Sequence, residues 1–258
     1  MAERESPEAF YDALAPEYDA IFDDWWAAAL EHGRLIDGVL REVGVAPAAR
    51  VLDCACGIGT QALPLAQLGY QVTGTDVSSN AAARARSEAE AREIPAVFMT
   101  ADMRVVDQTV PGAFEAVIAC DNSVPHLLDD TDLDLALTAV RAALVPGGVF
   151  LASIRDYDAL RSERPTGTPG VVRVRDRGRE ISGQGWEWSA DGERMRIHLY
   201  VLRERDDGWK ADVHTTHYRA LRRADFTAAL ERAQFVDIRW WFPEETGYYQ
   251  PIVTASAW

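Results

Sequence analysis

Short apolar runs alternate with helix-length amphipathic stretches from residue 31 to residue 154, and a two-residue alternation takes over after residue 171. The runs at 50–53, Gln71–Asp76, Ala96–Thr100, Phe114–Ala119 and 149–154 have the length and composition of buried strands. Between them, helical patterns occupy 31–43, the segment from Thr60 onward, 80–93 and 130–144. The stretch 80–93 is rich in Ala, Arg and Glu, a surface helix by propensity, and Pro95 stops it. Pro47 ends the connection before the first strand, and Pro146-Gly147-Gly148 turns the chain into the fifth. Two further strands are expected around 237–242 and 250–257, after a helix at 222–233. Strands alternating with helices of this length predict an α/β fold: a doubly wound, mostly parallel seven-stranded sheet covered on both faces.

Two segments stand outside that rhythm. Residues 10–26 carry Tyr11, Tyr18, Phe22 and Trp25 at spacings of 7, 4 and 3, which places them on one face of a helix. Such a helix can pack on the sheet, or form a lid over a ligand with Tyr11 or Tyr18 reaching in, and one helix can do both. Residues 171–219 alternate and turn at Asp191-Gly192 and Asp207-Gly208, the chemistry of antiparallel hairpins. Inserted between the fifth strand and the last helix, this block is expected above the ligand rim as a substrate cover. With no Gly/Ser linker and no repeat, residues 1–258 read as a single domain. Its parts are an N-terminal helical lid at 1–45, a ligand-binding core at 46–158, the cover at 159–221 and the end of the core sheet at 222–258.

Charge narrows the ligand. The 41 acids against 26 Lys plus Arg give a formal charge of −15, and basic clusters such as 173–179 are short and interleaved with acids. A protein that neutralises phosphates needs a basic face, so nucleic acid is excluded and a small molecule expected. No apolar run is long enough to span a membrane, and the N-terminus lacks a basic region followed by an apolar one, so neither membrane anchor nor signal peptide is expected. The three cysteines argue against a disulfide framework and for a reducing cytoplasm. Cys54 and Cys56, with only Cys120 as a further thiol, read as packing groups rather than metal ligands.

The stretch 50–60, Arg-Val-Leu-Asp-Cys-Ala-Cys-Gly-Ile-Gly-Thr, joins the first strand to a helix through two glycines. Gly57, Gly59 and Ala62 fit the G-x-G-x-x-A spacing of a dinucleotide site, a pattern of low specificity by itself. A dinucleotide sets its pyrophosphate at the helix N-terminus. There the charge of Asp53, at the strand tip, would oppose it by roughly 4 kcal/mol for unit charges ~4 Å apart at an effective dielectric of ~20. S-adenosylmethionine carries a sulfonium and an ammonium and no phosphate, so the acid suits it better. Asp76 ends the second strand 23 residues after Asp53, where an acid chelates both ribose hydroxyls of either cofactor. The alternative for Asp76 is a helix cap, although Ser78 and Ser79 can fill that position. Asp102, Asp121 and Arg155 fall at the tips of the third, fourth and fifth strands, so polar groups converge on the rim where such sheets bind ligands.

These motifs, Leu52 to Thr60, Asp76, Asp102-Met103 and Leu144-Val145-Pro146-Gly147-Gly148, resemble those of class I S-adenosylmethionine-dependent methyltransferases. Asn122-Ser123-Val124-Pro125-His126-Leu127, Arg155-Asp156-Tyr157-Asp158 and the segment holding Tyr11 and Tyr18 are similar to the glycine and glycine/sarcosine N-methyltransferase branch. The resemblance implies methyl transfer to the amine of a small carboxylate-bearing molecule such as glycine or sarcosine, by in-line displacement and with no metal. Another small-molecule O- or N-methylation is the alternative, and an NAD-dependent oxidoreductase a more distant one. It implies that Tyr18, Asp53, Cys54, Gly57, Gly59, Thr60, Asp76, Val77, Ala101, Asp102, Met103, Cys120 and Asp121 hold the cofactor. His126, Asn122 and Tyr11 would surround the transfer, with His126 as base or as an orienting group. Arg155, Tyr157, Tyr200, Tyr218 and Tyr249 would bind the acceptor, although Arg155 can equally pair with Asp156 or Asp158. Where the animal enzyme has a glycine before the Asn-Ser pair, this chain has Asp121, which suits a cationic amine and puts glycine itself in doubt. Arg34 is the local candidate for the cofactor carboxylate. The oligomeric state stays open, a homo-oligomer included.

Overall fold

Two sheets organise the chain in the computed structural model, which describes residues 6–175 and 178–258. The larger runs β10-β11-β5-β4-β1-β2-β3, with β1 Arg50–Asp53, β2 Gln71–Asp76, β3 Ala96–Thr100, β4 Phe114–Ala119, β5 Leu144–Ser153, β10 Phe235–Trp241 and β11 Ile252–Ala257. The pairs among β1 to β5 are parallel, and β11 runs against both its neighbours. Strand order reverses beside β1, whose neighbours are β4 and β2, and a ligand crevice opens at such a switch point.

Helices cover both faces. On one lie α2 Trp25–Glu42, α3 Ala62–Gln67 and α4 Ser79–Ala91; on the other α6 Asp130–Ala143 and α8 Arg223–Arg232, beside the short α5 Val106–Thr109. The pleat of β1 sends Val51 into the first layer and Leu52 into the second, both fully buried. Burying side chains of this size is worth about 1.5–3 kcal/mol each. Caps fix where helices begin: Asp24 accepts from Ala27 N–H (3.0 Å), Ser78 from Ala81 N–H (3.0 Å) and Asp129 from Asp132 N–H (2.9 Å). Each capping residue follows a loop from the ligand rim, so the caps also set the rim's geometry.

The aromatic segment differs from the single helix expected. Helix α1 covers Pro7–Leu14, a tighter 3-10 stretch follows over Ala15–Ile21, and α2 starts anew at Trp25. Pro16 accounts for the break: it has no N–H to continue the α1 ladder and is accommodated where a new turn begins. Tyr11, Tyr18, Phe22 and Trp25 therefore do not share one helical face.

The second sheet, β6 Gly167–Arg175, β7 Gly178–Trp188, β8 Arg194–Arg205 and β9 Gly208–Arg219, is antiparallel throughout and follows α7 Tyr157–Glu163. Alternate residues of β8, Met195, Ile197, Leu199 and Val201, are buried, and Leu199 and Val201 pack against Phe10 and Leu14 of α1. Glu17 fastens the N-terminal segment to this sheet through Arg203 (2.5 Å) and His214 (2.5 Å). From the other side Asp12 accepts from Ser78 Oγ (2.6 Å), and Arg84 pairs with Asp19 (2.8 Å). The segment is thus held between the cover sheet and α4, across the strand tips.

Candidate active site

The turn after β1 is shaped by its two glycines in different ways. Gly57 (φ +52°) has open space where a Cβ would stand, so the backbone there faces a cavity. A Cβ on Gly59 (φ +95°) would press within 2.8 Å of Leu63, so that glycine serves the start of α3 and lies off the cavity. Trp25 donates to Thr60 Oγ1 (3.0 Å), tying α2 to the same turn. The cavity has a volume of about 480 Å³ and is lined by Cys54, Gly57, Thr60, Asp76, Val77, Asp102, Met103 and Cys120 along the strand tips. Tyr11, Tyr18 and His126 close it from above.

Asp76 is the acid that faces this turn. Its carboxylate accepts from Gly57 N–H (2.8 Å) and Ser78 N–H (2.9 Å). Burial pushes its pKa up to about 6, against the pull of those two amides. The amide of Gly57, which a diphosphate would need, is already engaged by a carboxylate. That geometry disfavours a dinucleotide. Asp53 does not play the part expected of it. It is buried beneath the turn, accepts from Ala55 N–H (3.3 Å), has Oδ2 unpartnered, and is pushed up to about 8 by burial. Mostly protonated at neutral pH and off the cavity, it cannot be the charge that turns phosphate away. The acids that line the cavity beside the turn are Asp76 and Asp121.

A second cavity, of about 340 Å³, adjoins the first; Tyr11, Tyr18 and Asp121 line both. Asp121 and Asn122 follow β4 with φ of +55° and +67°. Such conformations cost about 1–3 kcal/mol each and persist only where the surroundings over-determine them. Here Asp121 N–H donates to Ser153 Oγ (2.8 Å), Asn122 N–H to Ser153 O (3.1 Å), and Arg155 N–H to Asn122 Oδ1 (3.1 Å). The bend aims the Asp121 carboxylate into the junction of the cavities. Gln61 Nε2 (2.7 Å), Tyr249 OH (2.9 Å) and Tyr248 OH all donate to it.

Arg155 lies across the second cavity. Its guanidinium stacks over Trp186 (4.9 Å) and Tyr218 (5.4 Å), and Nη2 donates to Gln184 Oε1 (3.1 Å). Nη1 is enclosed and has no hydrogen-bond partner among the described residues. Asp156 and Asp158 are engaged by Arg223 (2.6 and 3.4 Å), so the local pairing open from the sequence does not form. His126 has Tyr11 OH at 3.1 Å from Nε2, Thr216 Oγ1 at 3.5 Å from Nδ1, and the Tyr218 ring at 4.3 Å. Burial lowers its pKa to about 3, with Arg155 adding to the effect. A neutral imidazole of that kind is a poor base, and its Nε2 faces the Tyr11 hydroxyl. Burial raises the pKa values of Tyr11 and Tyr18, which stay protonated donors.

Several expected residues lie elsewhere. Ala101 is buried off the cavity, and its N–H donates to Asp76 O (3.0 Å). Asn122 is buried and shapes the bend rather than lining either cavity. Tyr157 is a fully buried core residue. Tyr200 sits between Leu199 and Val201 on β8, so the pleat turns it to the opposite face, where its hydroxyl stands over Gly183. Arg34 is exposed and paired with Glu31 (2.6 Å), far from any role with a cofactor carboxylate. Tyr218 and Tyr249 do line the second cavity. Gln61, Gln184, Trp186, Tyr248 and Gln250 were not anticipated. Only Gln61 left a trace in sequence, as a polar residue opening an otherwise apolar helix.

Comparison with known proteins bears on the domain and the fold. Residues 51–148 match the family model described as a methyltransferase domain. Over 153 residues the chain is 35% identical to a glycine/sarcosine N-methyltransferase of Parasynechococcus marenigrum, covering 59% of this chain and 53% of that one. Over 168 residues it is 31% identical to the glycine N-methyltransferase of Rattus norvegicus, covering 60% and 56%. The chain thus spans about half the length of the curated relatives it matches. Among solved structures, an amino pentose methyltransferase from Micromonospora echinaspora superimposes with a TM-score of 0.74 at 19% identity, over 95% of this chain and 97% of that one. An S-adenosylmethionine-dependent methyltransferase from Clostridium acetobutylicum gives 0.72 at 17% identity, with the same coverage. Residues 51–148 therefore carry a methyltransferase domain, set in the fold of the S-adenosylmethionine-dependent methyltransferases.

Proposed function

We propose that this chain binds S-adenosylmethionine in the cavity over the glycine turn and methylates the amine of a small molecule that also bears a carboxylate. The observation that carries the acceptor class is Arg155: a guanidinium with an enclosed, unpartnered Nη1 and no carboxylate paired with it among the described residues. A guanidinium set over Trp186 and Tyr218, with Nη1 unpartnered among the described residues, is suited to a carboxylate. Asp121, in the same cavity, suits the cationic amine. The relatives named as glycine/sarcosine and glycine N-methyltransferases point to the same acceptor class.

The residues of the first cavity fit the cofactor. Asp76 would hold the ribose hydroxyls, Asp102 and Met103 would flank the adenine, and Gly57 leaves room for the methionine part. When bound, S-adenosylmethionine supplies an electrophilic methyl carbon. The chain's own work is to orient the amine. Arg155 fixes the acceptor's carboxylate and Asp121 its nitrogen. Tyr11, held by His126, walls the junction where the two cavities meet, and the N-terminal segment excludes water above it. Positioning of this kind can supply about 7–11 kcal/mol of a bimolecular barrier. A carboxylate in contact with the ammonium also gives the departing proton an acceptor, a role the buried His126 fills poorly.

Incubation with methyl-labelled S-adenosylmethionine and a set of amino carboxylates, amines and hydroxy acids tests this. Label is expected in the amino carboxylates alone. Transfer to hydroxy acids, or tight binding of NAD with no response to S-adenosylhomocysteine, would overturn the reading.

A further inference from the structure

The second cavity has both a polar and an apolar lining; Tyr11, Tyr18, His32, Tyr218 and Gln250 line it beside the groups named next. Asp121 stands at the junction with the first cavity, bonded by Tyr249, while Arg155 with Gln184 lies across the second. Its apolar wall is made by Phe10, Leu14, Ile21 and Phe22 of the N-terminal segment and by Ile197 and Leu199 of β8. The register places this apolar wall next to the guanidinium, because Leu199 is the cross-strand partner of Gln184, and Ile197 of Trp186. The charged groups beyond Val201 do not intrude: Glu17, Arg203 and His214 bond one another and line neither cavity.

Glycine has five non-hydrogen atoms and no side chain. The volume of about 340 Å³ falls within the ~300–1,000 Å³ of sites that enclose much larger ligands. Held by Arg155 and Asp121, glycine would leave the apolar wall facing water. A sugar ring would carry hydroxyls into a region with few partners for them, and burying a hydroxyl without a hydrogen bond is unfavourable. An apolar group gains there by leaving water.

We propose that the acceptor is an amino carboxylate with a large apolar side group, such as a branched aliphatic or aromatic amino acid. The proposal rests on the reading of Arg155 and Asp121 as its anchors. The amine and carboxylate meet Asp121 and Arg155, and the side group runs along β8 beneath Phe10 and Leu14. Specificity thus comes from the N-terminal segment and the cover sheet, since neither contributes the anchoring charges but together they supply the wall.

Calorimetric titration of the S-adenosylhomocysteine complex with glycine, leucine, phenylalanine, isoamylamine (leucine's skeleton without the carboxylate) and an amino sugar separates the possibilities. Leucine and phenylalanine are expected to bind at least tenfold more tightly than glycine. Ile21→Trp, which narrows the cavity at its apolar wall from a half-buried position, is expected to remove that preference. Equal affinity for glycine and leucine in the unaltered protein would overturn the apolar reading and leave the carboxylate anchor standing. Isoamylamine or the amino sugar binding as tightly as leucine would overturn the anchor, and this proposal with it.

Discussion

The two cavities meet at three residues yet are built on opposite plans. The first is assembled from the ends of successive parallel strands and the turns that follow them: Gly57, Asp76, Asp102 and Cys120 each sit where one strand stops. Its geometry is the geometry of the sheet. The second draws on α1, the 3-10 stretch, the bend after β4, the end of β5, the cover sheet and the loop before β11. No backbone motif defines it, and its shape depends on how separately folded pieces lean together. The contrast teaches which half can vary. Changing a residue such as Leu199 of β8 alters the second cavity without touching the strand tips.

That separation can be broken experimentally. Arg155→Met keeps much of the packing on Trp186 and Tyr218 but removes the charge. We expect KM for a carboxylate acceptor to rise about a hundredfold, in keeping with about 2–5 kcal/mol for truncating one partner of a charge pair. The calorimetric Kd for S-adenosylhomocysteine should stay within about twofold of the unaltered protein. A matching loss on the cofactor side would show that the cavities act as one unit.

Asp76→Ala makes the reciprocal test. It removes the acceptor of the Gly57 and Ser78 amides as well as the ribose contact, so S-adenosylhomocysteine should bind at least tenfold more weakly. Acceptor KM, measured at saturating cofactor, should change little. An unchanged Kd would remove the ribose role.

The smallest effect concerns Asp53, which belongs to neither cavity. Folded, it keeps its proton up to about pH 8; unfolded, a carboxyl releases it near 4. The unfolded chain therefore binds fewer protons between those limits, and stability falls as pH rises through them. Asp76 adds the same sign below about pH 6, while His126, pushed down to about 3, acts oppositely below about 6.5. Between pH 6.5 and 8 the Asp53 contribution remains. Thermal melts should show Tm declining over that interval and the decline flattening in Asp53→Asn, which keeps an acceptor for Ala55 N–H. A Tm that climbs from pH 6.5 to 8 would contradict the buried, protonated acid.

Local patterns carried much of this molecule. Apolar runs of strand length, Pro95 and the glycines of the first turn are instructions read within a few residues. They specified the seven-stranded sheet and the acids at its rim, because a strand tip in a parallel sheet is a place as well as an element. The aromatic stripe misled for a local reason: Pro16 interrupts the helix that the spacing suggested. The remaining differences come from contacts across the fold. Which face Tyr200 takes depends on the pairing of β8 with β7, and the enclosure of Tyr157 depends on the core around it. Tyr248 and Gln61 are 187 positions apart in the chain, and both converge on Asp121.

The sequence alone determined the sheet, the turn and the acid that ends β2, since backbone conformation and burial follow from neighbours along the chain. Tertiary structure alone decided which carboxyl keeps its charge, leaving Asp53 protonated under the turn and Asp76 at the cavity wall. It also decided that Arg155 would pair with no acid among the described residues. Solvation and charge pairing depend on everything that packs around a group, and the chain must close on itself before that surrounding exists.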